Sequence, residues 1–253
     1  MNSSFSLPRI VILAAGQGSR LGSLAAGGPK CLMPVGGEAL LVRTLRQLLT
    51  QGFNDIAVVV GYQAASVSKA VQAVSTEIRC VENPQYATDT NIRSLLLGLE
   101  NSDSAALIIE ADIAFDDAAI EVMSTTARGT NSAWFTNGLF NPGQFGGILR
   151  ADAHRRLLDL RYVPAYDARF VAYHKLIGAV FAGAGETPTF RQLMRTAAAE
   201  TTGQYYMMPW CDHLSVLPAI AVDLAHCRTA TFNTPTDYWR CEALFAPSRP
   251  VAV

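Results

Sequence analysis

Residues 10–37 read IVILAAGQGSRLGSLAAGGPKCLMPVGG, and the fold turns on how this stretch is read. Ile10 to Leu13 is an unbroken aliphatic run and Ala14 to Gly18 is a patch of mostly tiny residues. That pattern predicts a buried strand opening directly into a loop. With almost no bulk on the loop, its backbone N–H groups can lie against a flat or anionic ligand, because glycine accepts positive φ and small residues let the main chain approach closely. Two cations follow, Arg20 and Lys30. Lys30 has no acidic neighbour in sequence, which suits a residue kept for the negative charge of a ligand.

Working outward, Ala39 to Gln51 spaces its leucines as a helix that Gly52 stops, and Asp55 to Val60 is a second strand. Ala64 to Val74 reads as a helix, Ile78 to Val81 as a short strand, and a helix begins near Asn91 after an irregular polar loop. Ala105 to Ile109 is a strand finishing on Glu110-Ala111-Asp112, which places acidic side chains at its carboxyl end, where open parallel sheets bind ligands. Another helix runs to about Thr126. Beyond it the pattern changes to strands with few helices: around Trp134-Phe135, Gly146 to Leu149, Asp159 to Val163, Lys175 to Phe181, Leu214 to Leu217 and Ile220 to Val222, with one helix over Thr189 to Ala199. The expected class is α/β, a doubly wound, mostly parallel, Rossmann-like sheet with antiparallel additions. No linker or repeat divides the chain, so a single domain over 1–253 is expected, with a nucleotide half at about 8–125 and an acceptor half at about 126–245.

Composition removes several classes. Half of the 253 residues are hydrophobic, enough for a sizeable core, and a net charge of -1 leaves no global basic field for nucleic acid. The first residues carry no signal-peptide pattern, and no apolar run approaches the about 18 residues of a membrane span. The expectation is a cytoplasmic protein without membrane or nucleic-acid partners. The cysteines at 31, 80, 211, 227 and 241 lack metal spacing and are odd in number, which predicts free thiols rather than disulfides or zinc.

The glycines satisfy neither the P-loop nor the dinucleotide fingerprint, and alone they fit a packed strand-to-helix turn equally well. The composite of small loop, Arg20 and Pro29-Lys30 is more specific: LAAGQGSRLG followed by PKCLMPVGG resembles the signature of the nucleoside-triphosphate transferases, the nucleotidyltransferases. The resemblance implies a GT-A-like nucleotidyltransferase fold, nucleotide contacts from Leu13, Ala14, Ala15, Gly16, Gly18 and Ser19, and catalytic charge from Lys30 and Arg20. It implies Mg²⁺ on Asp112. The family's second metal ligand comes from acidic positions before a Thr-Pro-x-Asp-Tyr turn; here TATFNTPTDYWRCEALF keeps Thr234, Pro235, Asp237 and Tyr238 but has Thr231 and Asn233 where the acids stand. Asn233, or Asp212 in its place, is the candidate, while Asp237 reads as a first-turn charge of the last helix.

NPQYATDTNIRSL, residues 83–95, resembles a loop of the phosphocholine cytidylyltransferase branch. Asn91 and Ser94 there are short donors and acceptors able to read a pyrimidine and ribose, with helix capping as the bland alternative. This leans the nucleotide toward CTP. For a small anionic acceptor the candidates are Arg93 and Lys175, with Arg128 more simply a solvated side chain. Trp134, Tyr205, Tyr206 and Trp210 read equally as an ammonium cage or as packing. The four histidines, without ligand spacing, read as structural. The function expected is CMP transfer to a phosphonate such as phosphonoformate, hydroxyethylphosphonate or aminoethylphosphonate, or to phosphocholine, releasing pyrophosphate. The alternatives are a sugar-1-phosphate nucleotidyltransferase using UTP, GTP or dTTP, and a non-catalytic nucleotide-binding regulator. A homodimer is compatible with the sequence.

Overall fold

A computed structural model describes residues 7–18, 21, 22, 24 and 28–246. In chain order its elements are β1 (Arg9–Ala14), β2 (Pro34–Val35), β3 (Glu38–Ala39), α1 (Leu40–Thr50), β4 (Ile56–Val60), α2 (Ala64–Val74), β5 (Arg79–Glu82), α3 (Ile92–Gly98), β6 (Ala106–Glu110) and β7 (Ile113–Phe115). Then come α4 (Asp117–Ala127), β8 (Ala133–Leu139), β9 (Gly146–Ala151), β10 (Leu157–Val163), β11 (His174–Ala182), α5 (Thr187–Glu200), α6 (Met207–Cys211), β12 (Ile220–Asp223), β13 (Thr229–Thr231) and α7 (Pro235–Phe245).

The aliphatic runs do what their lack of alternation predicts: Ile10, Val11 and Ile12 of β1 and all of β4 are buried on both faces. β1 lies between β4 and β6, parallel to each, and β5 extends the parallel part beyond β4. α1, α2 and α4 cover one face around Leu41, Leu45, Val67 and Ile120, while α3, α5 and α6 cover the other around Leu95, Phe190 and Trp210. Packing of α3 is tight enough to require glycine: a Cβ on Gly98 would lie 2.3 Å from Val11 Cγ1.

The later strands join the same nine-stranded sheet. β11 pairs antiparallel with β6 through Ala179–Ala182, and also with β8 and β9, while β10 pairs with β9. Two expectations are corrected. Leu214 to Leu217 is not a strand but a series of turns leaving α6, in which Trp210 Nε1 donates to the Leu217 carbonyl at 2.9 Å and so pins the segment inward. β12 joins β8 parallel, not antiparallel, so the late half is a mixed addition. The small β7–β13 pair and the short α6 were not expected; elements of three to five residues carry too little periodicity to read.

Candidate active site

The carboxyl ends of β1 and β6 open onto a cavity of about 780 Å³, the size of a ligand site rather than a packing defect. Leu13, Ala14, Ala15, Gly16 and Gly18 line it, so five of the residues expected to hold a nucleotide share one wall. Gly18 adopts φ +68, and a Cβ there would meet Lys30 Cβ at 2.8 Å. The loop can therefore close over the lysine only with glycine at this position. Ser19 and Arg20 lie outside the described residues.

Lys30 opens a short 3₁₀ turn, Lys30–Leu32, and is buried. It is not without an acidic partner, as its sequence neighbourhood implied. Its Nζ donates to Asp112 Oδ2 at 2.6 Å and to Asn233 Oδ1 at 3.1 Å, partners 82 and 203 positions away, and lies 5.1 Å above the Phe232 ring. The β7–β13 pair makes this meeting: Ile113 registers with Thr231, and Thr231 Oγ1 donates to the Asp112 carbonyl at 3.2 Å. Just beyond, Thr234 and Asp237 form a capping box that starts α7, the first-turn role expected of Asp237. The two oxygens of Asp112 and Asn233 converge on one cationic nitrogen, so the donor set fits a small cation. Among the described residues no three His, Cys, Asp or Glu side chains form a metal cluster, so further ligands to such a cation would include water and substrate oxygens.

Asn91 and Ser94 also line the cavity, but both are already engaged. Capping of α3 falls to Asp89, which accepts from the backbone N–H groups of Arg93 and Ser94 at 3.0 and 2.8 Å and from Ser94 Oγ at 2.7 Å. Asn91 makes no side-chain cap; its Oδ1 accepts from Tyr206 N at 2.9 Å and its Nδ2 donates to Glu110 at 3.3 Å. Arg93 is not part of the cavity lining, since it sits about 100° round α3 from Ser94. Asp212 ends α6 outside the lining, and Arg128 donates to the carbonyls of Ser124 and Gln51 instead.

Lys175 does line the cavity. Its Nζ donates to the carbonyls of Leu176 at 2.9 Å and Gly147 at 3.2 Å, and burial, partly offset by the Glu110 charge, lowers its pKa to about 8. Glu110, read in the sequence only as a strand-end acid, is the residue most underestimated: burial first, and then the Asp112 charge, raise its pKa to about 7. The aromatics are mostly partnered to each other. Trp134 stacks on Tyr206 with centroids 6.0 Å apart and meets Trp210 edge-on at 5.3 Å, while Tyr162 stacks on Tyr205 at 5.1 Å. None of the four histidines lines the cavity, and the Cys31 thiol that does is pushed up to about 12 by burial.

A profile of the MobA-like NTP transferase domain matches residues 10–169, spanning the loop, Lys30 and Asp112. The chain belongs to that family. A relative from Streptomyces rubellomurinus, CMP-5'-(3-aminopropyl)phosphonate synthase, is 33% identical over 62% of this chain and 26% of its own length. The bifunctional protein GlmU of an Azoarcus species is 29% identical over 78% of this chain and 42% of its own. The chain thus spans less than half the length of these curated relatives. Among solved structures, the CTP:phosphocholine cytidylyltransferase of Streptococcus pneumoniae superposes with a TM-score of 0.79 over 94% of this chain and 99% of that one, at 22% identity, a likeness of fold. No helix among the described residues is long and apolar enough to cross a membrane.

Proposed function

We propose that the chain is a CTP-dependent cytidylyltransferase that moves CMP onto a small phosphonate or phosphate acceptor. The observation that carries this reading is the convergence of Lys30, Asp112 and Asn233 beside the side-chain-poor loop at one part of a cavity that also holds Lys175. In the reaction, an acceptor P–O⁻ oxygen attacks the α-phosphorus of CTP. A P–O bond forms, the α–β bridging P–O bond breaks, and pyrophosphate leaves with the electron pair. The nucleophile is already an anion, so no general base is required, and the protein's task is positioning and charge neutralisation.

Leu13 to Gly18 are assigned to the triphosphate and ribose, Asn91 and Ser94 to the base side, Lys30 with Arg20 to the phosphates, and Lys175 to the acceptor anion. Asp112 and Asn233 would hold a divalent ion together with phosphate oxygens, Mg²⁺ being the one implied by the resemblance, and such an ion would offset the triphosphate charge. Asn233 gives a neutral oxygen, so protein anchorage is weaker than with two carboxylates. The Lys30 ammonium sits on those oxygens, and substrate phosphates must draw it away.

The test is pyrophosphate release by the full chain with CTP, UTP, GTP and dTTP, each against aminoethylphosphonate, hydroxyethylphosphonate, phosphonoformate, phosphocholine and a sugar 1-phosphate. CTP with a phosphonate or phosphocholine is expected to be the productive pair. Turnover confined to UTP, GTP or dTTP with the sugar phosphate would replace this reading by the sugar-nucleotide one, and CTP binding without turnover would leave a regulator.

A further inference from the structure

Glu110 ends β6 with its carboxylate inside the cavity, and the hydrogen bond that side chain accepts among the described residues is a long one, 3.3 Å from Asn91 Nδ2 to Oε1. Its other oxygen, Oε2, lies across the neighbouring strand from Gly178, where any Cβ would stand 2.3 Å away. Glycine at that position is what gives the carboxylate room. Lys175 is the cation whose charge acts most on Glu110, yet among the described residues the two form no direct ion pair and the ammonium donates to two backbone carbonyls. A carboxylate partly withdrawn from water with one weak donor is costly to hold, and the cost is removed by a ligand that brings N–H groups.

We propose that Glu110 anchors a primary ammonium on the acceptor, so that the substrate class is zwitterionic: a phosphonate or phosphate monoester carrying a free amine, its anionic end on Lys175. This rests on the cytidylyltransferase reading and narrows it. An unpaired anion and an unpaired cation in one cavity are the complement of such a molecule. A quaternary ammonium fits less well, because it has no N–H for Oε2. It would also need open aromatic faces, and here Trp134 is stacked on Tyr206 and Tyr162 on Tyr205.

The experiment measures kcat and KM for the full chain with CTP and four acceptors: 2-aminoethylphosphonate, phosphoethanolamine, hydroxyethylphosphonate and phosphocholine. The expected preference in kcat/KM for a primary amine over the hydroxyl and trimethylammonium analogues is about 10- to 100-fold, the size of a lost charged hydrogen bond. The first two acceptors separate phosphonate from phosphate ester as the source of the shared chemistry. Glu110→Gln should collapse the amine-to-hydroxyl ratio toward one, mainly through KM for the amine. Glu110→Asp, which keeps the charge but draws it back, should restore part of it, and it is the variant to read if Glu110→Gln does not fold. Equal losses with amine and hydroxyl acceptors, or a shifted Mg²⁺ midpoint with the preference retained, overturn the assignment. If no acceptor is turned over at all, the cytidylyltransferase reading fails separately. Calorimetric binding of the amine and hydroxyl compounds to wild type and Glu110→Gln then decides on Glu110 alone, equal affinities counting against it.

Discussion

The two parts of the cavity treat charge in opposite ways. At the β1 loop Lys30 is closed onto Asp112 at 2.6 Å, a pair assembled from the protein's own residues. Under β11, Glu110 and Lys175 face one space without pairing. The first arrangement is satisfied until a ligand exchanges partners with it; the second is satisfied only by a ligand. The two also differ in how the chain builds them. β1, β4 and β5 are consecutive parallel neighbours linked by helices, whereas the wall carrying Lys175 depends on β11 meeting β6, β8 and β9 across long gaps in sequence.

The largest effect should come from opening the satisfied pair. Lys30→Ala is expected to lower kcat by about 10²- to 10³-fold, the usual loss when a preorganised charge-stabilising donor is removed. The fold should survive, because Asp112 keeps 31% of its side chain exposed and can be solvated. Circular dichroism checks the fold. In the same variant Mg²⁺ should bind more tightly without nucleotide, since no ammonium competes for Asp112. Undiminished turnover would remove Lys30 from the chemistry and make the pair structural.

Next is the packing contrast. Gly98→Ala forces a methyl group onto Val11 between α3 and β1 and should cost about 1–3 kcal/mol, read as a fall in the urea midpoint. Gly185→Ala, where nothing lies within 4 Å, should shift it by no more than about 0.5 kcal/mol. Similar losses in both would mean that the contact with Val11 does not set the cost at Gly98.

How far the sequence could be read follows the same division. Ile10 to Leu13, Asp55 to Val60 and Ala64 to Val74 announce their own element through local runs and periodicity, and the observed elements differ by no more than one residue at any end. Leu214 to Leu217 looks apolar enough for a strand, but its position is decided by Trp210, whose indole bonds to the Leu217 carbonyl. Such a contact has no local signature. The same holds in the site. Leu13 to Gly18, Lys30 and Asp112 were recognisable as residue types beside strand ends, yet the bond between Lys30 and Asn233 depends on β13 pairing with β7. Arg93 has the charge and the place in sequence of a site residue, but the turn of α3 carries it off the cavity lining. Glu110 was visible all along two residues before Asp112, but only the glycine opposite it on β11 shows that its carboxylate has been given space.

The smallest effect tests the unsatisfied end through Lys175. Burial holds its ammonium near pKa 8 against the ordinary 10.5 of a lysine, with the Glu110 charge acting in the other direction. Between those values the unfolded chain binds the proton and the native state largely does not, so native stability rises with pH across the window and the cationic penalty is complete below it. In Lys175→Met that contribution is absent. The difference in unfolding free energy, wild type minus variant, should therefore climb between pH 8 and 10, whatever its intercept from the lost carbonyl contacts. Glu110, raised to about 7 against the opposing Lys175 charge, titrates higher once that charge is removed, and this adds a rise of the same sign from about pH 7. Urea melts at four pH values suffice. A difference that stays level to pH 10 would mean the ammonium is solvated like an ordinary surface lysine, and the contrast between a closed pair at Asp112 and an open one at Glu110 would lose its second half.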